Sequence, residues 1–186
     1  MSDPHFFGYG SLVNTATHSY PNAQKATLAG WRRAWVRSDQ YDMVLLSAVP
    51  ADPSARIQGL IAAVPNADWT ALDTRETGYQ RVLSDGKVSH EGDTAIEIAH
   101  YAVPRSDWRD GGIQTIRLSY LDVVVQGYHQ QFGKDGVAAF FETTDGWDTP
   151  ILNDRAAPHY PRSQILSGAE TALVDQHLAR IAAQII

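Results

Sequence analysis

The sequence predicts an α+β fold, because its early apolar runs behave as strands and its later ones as helices. "MVLLSAVP" and "RIQGLIAAVP" are apolar runs that end at Pro50 and Pro65, as strands stopped by proline do. "TIRLSYLDVVVQGYHQQFG" changes period: Ile116, Tyr120, Val123 or Val124 and Tyr128 recur at three- and four-residue steps. Strands first and helices later imply an antiparallel or mixed sheet, open or closed. With 186 residues and no repeat or long linker, the simplest organisation is one domain over residues 1–186.

Taken in order, "HFFGYGSL" reads as a short buried strand that ends in a turn. "QKATLAGWRRAWV" is ambiguous: Gly30 and the β-branched and aromatic residues favour a strand, while Trp31 and Trp35 at i,i+4 suit a helix. In "TAIEIAHYAVP" the residues Ile96, Ile98 and His100 alternate with Ala95, Glu97, Ala99 and Tyr101, the pattern of a half-buried strand. "GAETALVDQHLARIAAQII" reads as a terminal amphipathic helix with Leu173, Leu178, Ile181 and Ile185 on its stripe.

"PNADWTALDTRETGYQRV" predicts a helix of about three turns, with Asn66 as N-cap, Asp68 in the first turn and Gly78 just past the end. At about 100° per residue, Leu72 and Glu76 fall near Trp69 on the wheel, while Asp73 and Arg75 point elsewhere. A carboxylate on the apolar stripe breaks a local rule. Either it occupies a pocket with a raised pKa, or it reaches solvent or an arginine at the stripe's rim.

Composition excludes several chemistries. There is no cysteine, hence no disulfide, thiol nucleophile or thiolate metal site. The formal net charge of −6 disfavours nucleic acid, although Arg32, Arg33 and Arg37 gather in "GWRRAWVR". No run approaches about eighteen apolar residues and no signal peptide opens the chain, so the expected location is cytoplasmic and off the membrane. The seven histidines show no metal spacing. His90 in "SHEGD" reads as part of a solvated turn, and His159 in "NDRAAPHYPR" as a surface residue or a substrate contact. No metal is expected.

"GYGSLV" starts like a dinucleotide fingerprint but has Val13 at the third glycine position. No Gly-Lys-Ser/Thr follows, so it is not a phosphate-binding Walker loop. Ser11 stands in Gly-Ser-Leu, not in a nucleophile elbow. Gly8 and Gly10 permit a close approach of backbone to ligand, and successive N–H groups there can form an anion-binding nest. A tight structural turn that buries Tyr9 fits the same residues.

Phe7-Gly8-Tyr9-Gly10-Ser11-Leu12, the strand "RIQGLIAAV", the Leu-Asp-x-x-Glu helix in "LDTRETGYQRV" and the later "SYLDVVVQG" together resemble the gamma-glutamylcyclotransferase family, especially its ChaC-like and bacterial branches. The resemblance spans roughly residues 6 to 130. It implies a small mixed β-barrel flanked by helices. It further implies a cofactor-independent enzyme, of lyase or acyltransferase type, that cyclises a small-molecule γ-glutamyl compound to 5-oxoproline and releases an amine. Candidate substrates are glutathione, a γ-glutamyl amino acid or a γ-glutamylamine. By position, Tyr9, Gly10, Ser11 and Leu12 match the loop that binds the γ-glutamyl group, Glu76 the general acid/base, and Tyr79 and Tyr120 the pocket tyrosines. Arg32, Arg33, Arg155 and Arg162 are available to meet a carboxylate on the leaving group, or simply to face solvent. An amide hydrolase using the same Glu, or a non-catalytic ligand-binding module, would share these residues. The Pro-rich 147–163 segment, with "NDRAAPHYPR", is expected to border the pocket or to be a structural excursion.

Overall fold

The computed structural model describes residues 2–84, 86–92 and 96–186. Its first strand, β1 (His5–Gly8), is buried at all four positions, as a strand with neighbours on both edges and both faces must be. The ambiguous segment resolves into two strands, β2 (Gln24–Ala29) and β3 (Trp31–Ser38). Gly30 stands between them with φ of 77°, which turns the chain from one sheet into another. The Trp31/Trp35 spacing misled because residues four apart share a face in a strand as well as in a helix. The predicted strands β4 (Leu45–Pro50) and β5 (Arg56–Ala63) follow.

The helix expected from Asn66 is much shorter than its sequence suggests: α1 is only Thr70–Arg75. Asn66 and Ala67 both lie at positive φ, so neither continues a helix and Asn66 is not the N-cap. Trp69 stands at the N-cap position, and Asp68 before it accepts the Thr70 N–H at 3.0 Å. Leu72 pins α1 to the sheet, fully buried in a cluster with Phe6, Leu12, Val64 and Tyr101.

Three strands come next, β6 (Gln80–Leu83), the edge strand β7 (Val88–His90) and β8 (Ile98–Ala102). His90 therefore ends a strand, with exposed Glu91 beyond it, and Asp93 lies outside the described residues. β8 does not alternate as expected; all five residues are buried because it runs inside the sheet, between β6 and β1. Thr94 and Ala95, the start of the predicted strand, also lie outside the described residues. Two-residue strands β9 (Trp108–Arg109) and β10 (Ile116–Arg117) lead into the long α2 (Leu118–Glu142), which is interrupted at Gly133. β11 (Thr144–Asp145), β12 (Ile151–Leu152) and α3 (Gly168–Arg180) complete the chain. α3 ends before the predicted stripe does. Val174, His177 and Leu178 are its buried residues, and Ile185 leaves the helix to bridge Ile151.

The class is the expected mixed α+β. One sheet has the order β6-β8-β1-β5-β2-β7, a second β11-β3-β4 and a third β10-β12, while β9 adds to β3. β1 is parallel to β8 and antiparallel to β5. β3 lies against β5 and β4 against β8. The expected barrel is thus two packed sheets, without a closed ladder of strands among the described residues. Between the sheets and α2 sits the main core, built on residues such as Phe7, Leu46, Ile61, Tyr128 and Phe140. No helix among the described residues is long and apolar enough to cross a membrane.

Candidate active site

The turn after β1 runs straight into a tight helical turn at Ser11–Val13. The turn's own bonds run from the Val13 and Asn14 N–H groups back to the Gly10 and Ser11 carbonyls, and do not use the N–H groups of Gly10, Ser11 or Leu12. Gly10 leaves room for Tyr120, whose hydroxyl oxygen would have to move from 2.6 Å if a Cβ stood there. Gly127 of α2 fits for a similar reason: a Cβ would meet the Asn14 backbone at 2.7 Å. Asn14 fixes that contact by donating to the Val123 carbonyl at 3.0 Å and to Gln126 Oε1 at 2.9 Å.

Tyr9 is clamped at both ends. Its hydroxyl donates to the Tyr101 carbonyl at 2.6 Å, and its own carbonyl accepts from Arg33 Nε at 3.1 Å and the Tyr128 hydroxyl at 2.9 Å. Its side chain therefore serves the loop's shape, while the loop lines a small cavity of about 30 Å³ together with Glu76, Tyr79 and Tyr120. Leu12 likewise turns its side chain into the cluster around Leu72.

That cavity adjoins a larger one of about 120 Å³, open to solvent. Ser11, Leu46, Glu76, Tyr79 and Tyr120 line both, so Glu76 stands at the junction of an inner and an outer lobe. Glu76 follows the last residue of α1 and its side chain is only 17% exposed. Burial pushes its pKa up, opposed by the charges of Arg75 and Arg162. Arg75 Nε lies 3.2 Å from Glu76 Oε1. The same guanidinium donates to the Thr17 carbonyl at 2.8 Å and to Ser11 Oγ at 3.3 Å. Arg75 thus ties the carboxylate to the loop, contrary to the outward direction the wheel gave it.

Tyr79 donates to the Leu46 carbonyl at 3.0 Å. Tyr120 packs edge-on to Tyr160, ring centres 5.1 Å apart. Burial raises the pKa of both Tyr79 and Tyr120 well above the ordinary phenol value, so both hydroxyls remain neutral donors. Tyr9, Gly10, Ser11, Leu12, Glu76, Tyr79 and Tyr120 are all brought to one place.

The four nominated arginines separate. Arg32 pairs with Asp145 at 2.7 Å on the surface. Arg33 is 1% exposed and bonds Tyr9, Gln58, Thr143 and Tyr128 inside the core. Arg155 is held between Asp122 and Asp175. Arg162 alone lines the outer lobe, where Arg75, Arg117, Tyr41 and Tyr160 join it. Those four escaped the sequence reading; only Arg75, adjacent to Glu76, carried a local signal. The 147–163 segment does border the cavity, through Tyr160 and Arg162, whereas His159 is exposed and does not line it.

Asp154 holds that segment down. Its carboxylate accepts the Ser119 N–H at 2.7 Å, the Ser119 hydroxyl at 2.6 Å and the His159 N–H at 3.0 Å. It caps the start of α2 from a distance, because Arg117 at the N-cap position makes no side-chain cap.

Residues 6–116 match the family model described as gamma-glutamyl cyclotransferase, AIG2-like. A solved structure titled gamma-glutamyl cyclotransferase is 12% identical with a TM-score of 0.59, over 94% of this chain and 99% of that one. An uncharacterized protein of Homo sapiens is 13% identical with a TM-score of 0.55 over the same shares. YkqA of Bacillus subtilis is 14% identical with a TM-score of 0.56, over 78% of this chain and 57% of that one. At these identities the structures speak to the fold. No curated protein matches the chain in sequence.

Proposed function

Because the family match covers more than half of the chain, which thereby belongs to the gamma-glutamyl cyclotransferase, AIG2-like family, we propose that it cyclises γ-glutamyl compounds to 5-oxoproline with Glu76 as the single acid/base. The observation that carries this reading is the position of Glu76 at the junction of the two lobes, opposite the loop of residues 9–12. The γ-glutamyl group enters the inner lobe and the leaving amine occupies the outer one.

The substrate's α-ammonium gives a proton to the Glu76 carboxylate. The freed amine attacks its own γ-carbonyl carbon, a tethered reaction in which the enzyme supplies no nucleophile. Negative charge gathers on the carbonyl oxygen, where loop N–H groups stabilise it. Protonated Glu76 then returns the proton to the departing nitrogen as its bond to carbon breaks. The extra proton on the new lactam nitrogen passes through the freed carboxylate to the released amine, which leaves as an ammonium. 5-Oxoproline and the amine leave, no water is consumed, and Glu76 ends as it began. A pKa raised above the ordinary carboxylate value suits both transfers, since the group must take and give a proton near neutrality.

Release of 5-oxoproline from glutathione, γ-glutamyl amino acids and γ-glutamylamines, read by mass spectrometry, tests the reading. Wild type should release it and Glu76→Gln should lose roughly 10²–10⁴-fold in kcat. Free glutamate in place of 5-oxoproline would mean that water is the nucleophile and would overturn cyclisation.

A further inference from the structure

The outer lobe is lined by three arginines and one glutamate, and the guanidinium groups are not equivalent. Arg75 is committed to Glu76, Ser11 and Thr17. Arg117 is paired with Asp42 at 3.0 Å. Arg162 makes no ion pair with any described residue, although its backbone is fixed by the turn from Ser163 N–H to the Tyr160 carbonyl. A partly buried cation at a cavity wall with no anion of its own is an incomplete pair. Both Arg117 and Arg162 lie beyond residue 116, where the family match ends, so this wall belongs to the chain's own C-terminal part.

We propose that Arg162 is a specificity-determining residue that selects γ-glutamyl compounds whose departing amine carries a carboxylate. The inference rests on the cyclotransferase reading for where the substrate lies. If the leaving nitrogen sits against Glu76, a carboxylate on the carbon next to that nitrogen is only two bonds away. Arg162 lines the same lobe as Glu76, so a group attached beside a nitrogen held at Glu76 enters the lobe that Arg162 borders. Tyr41, Met43, Val44 and Leu45 give the same lobe an apolar wall. A leaving amino acid with an apolar side chain fills the lobe and neutralises Arg162; the corresponding amine fills it and leaves Arg162 unpaired. An unpaired partner of that kind discriminates strongly, because the penalty falls on the wrong ligand.

The test compares γ-glutamylphenylalanine with γ-glutamylphenethylamine, which differ only by that carboxylate. Dissociation constants are measured by calorimetry on Glu76→Gln, which holds substrate without consuming it, and kcat/KM on the wild type. The carboxylate-bearing compound should bind and react roughly tenfold to hundredfold better, the range of a charge-assisted hydrogen bond. Adding Arg162→Gln should erase the preference, and Arg162→Lys should restore part of it. Equal handling of the pair, a preference that survives in folded Arg162→Gln, or no binding of either compound would overturn the proposal. Preferential binding without 5-oxoproline release would overturn the reaction and leave the role of Arg162 standing. The wild-type comparison needs no variant to fold, so it can refute the idea alone.

Discussion

On the cyclotransferase reading, what makes Glu76 useful is what makes it unfavourable. Its buried carboxylate keeps its proton to higher pH in the native state than in the unfolded chain. Between those two values the native state binds more protons, so stability falls as pH rises, and above both the penalty is complete. Glu76→Gln, whatever it loses in catalysis, should therefore melt no lower than wild type at pH 7.5 in a thermal scan. Arg75 sets the balance from the other side. Arg75→Met leaves burial less opposed, so the acid limb of the kcat/KM profile should move to higher pH; an unmoved limb would free Arg75 of that role. The inward face of Glu76 was legible from its spacing to Trp69 and Leu72. The direction of Arg75 was not, because its guanidinium reaches back to Thr17 and Ser11, partners that a helical wheel does not contain.

Among the elements, α2 depends on a residue far along the chain. Burial works to raise the Asp154 pKa, but hydrogen bonds from Ser119 and His159 outweigh it and the net shift is downward. That stabilisation is present above the ordinary carboxylate value and lost as pH falls below it. Asp154→Ala should remove about 2–3 kcal/mol in urea denaturation, the loss of a cap and buried charge-assisted bonds. Because it also frees the segment bearing Tyr160 and Arg162, KM should rise more than kcat falls. The helix itself was readable, since its apolar steps are local. Its cap was not, because nothing in "NDRAAPHYPR" indicates that Asp154 meets Ser119. α1 shows the converse, where a plausible local cap at Asn66 was overruled by two residues at positive φ.

At the scale of the molecule, Arg33 joins what hydrogen-bonded strands do not. It rises from β3 in one sheet and donates to Tyr9 after β1 and to the Gln58 carbonyl of β5 in another, while Tyr128 of α2 and Phe140 lie beneath it. Arg33→Met should cost about 3 kcal/mol or more, because several buried acceptors lose their donor. A midpoint in urea within error of wild type would show that the sheets do not need this join. Nothing in "GWRRAWVR" separates surface Arg32 from buried Arg33 except strand alternation, and that reading required knowing that the segment was a strand. The general order, strands then helices, was visible because each apolar run is local; the pairing of β1 with β5 and β8 is set by distant residues and was not.

The cavity draws its walls from residues 7–12, from Tyr41 and 43–46, from 75–77 with Tyr79, from Tyr101, from Arg117 and Tyr120, and from Tyr160 and Arg162, and the last pair is anchored through Asp154. During synthesis on a ribosome, then, the pocket cannot close until most of the chain has emerged. A growing polypeptide holding the loop and Glu76 would already carry every residue assigned to the chemistry, yet it would lack the outer wall that receives the leaving group. If the cyclotransferase reading holds, a chain ended before Asp154 should release little 5-oxoproline.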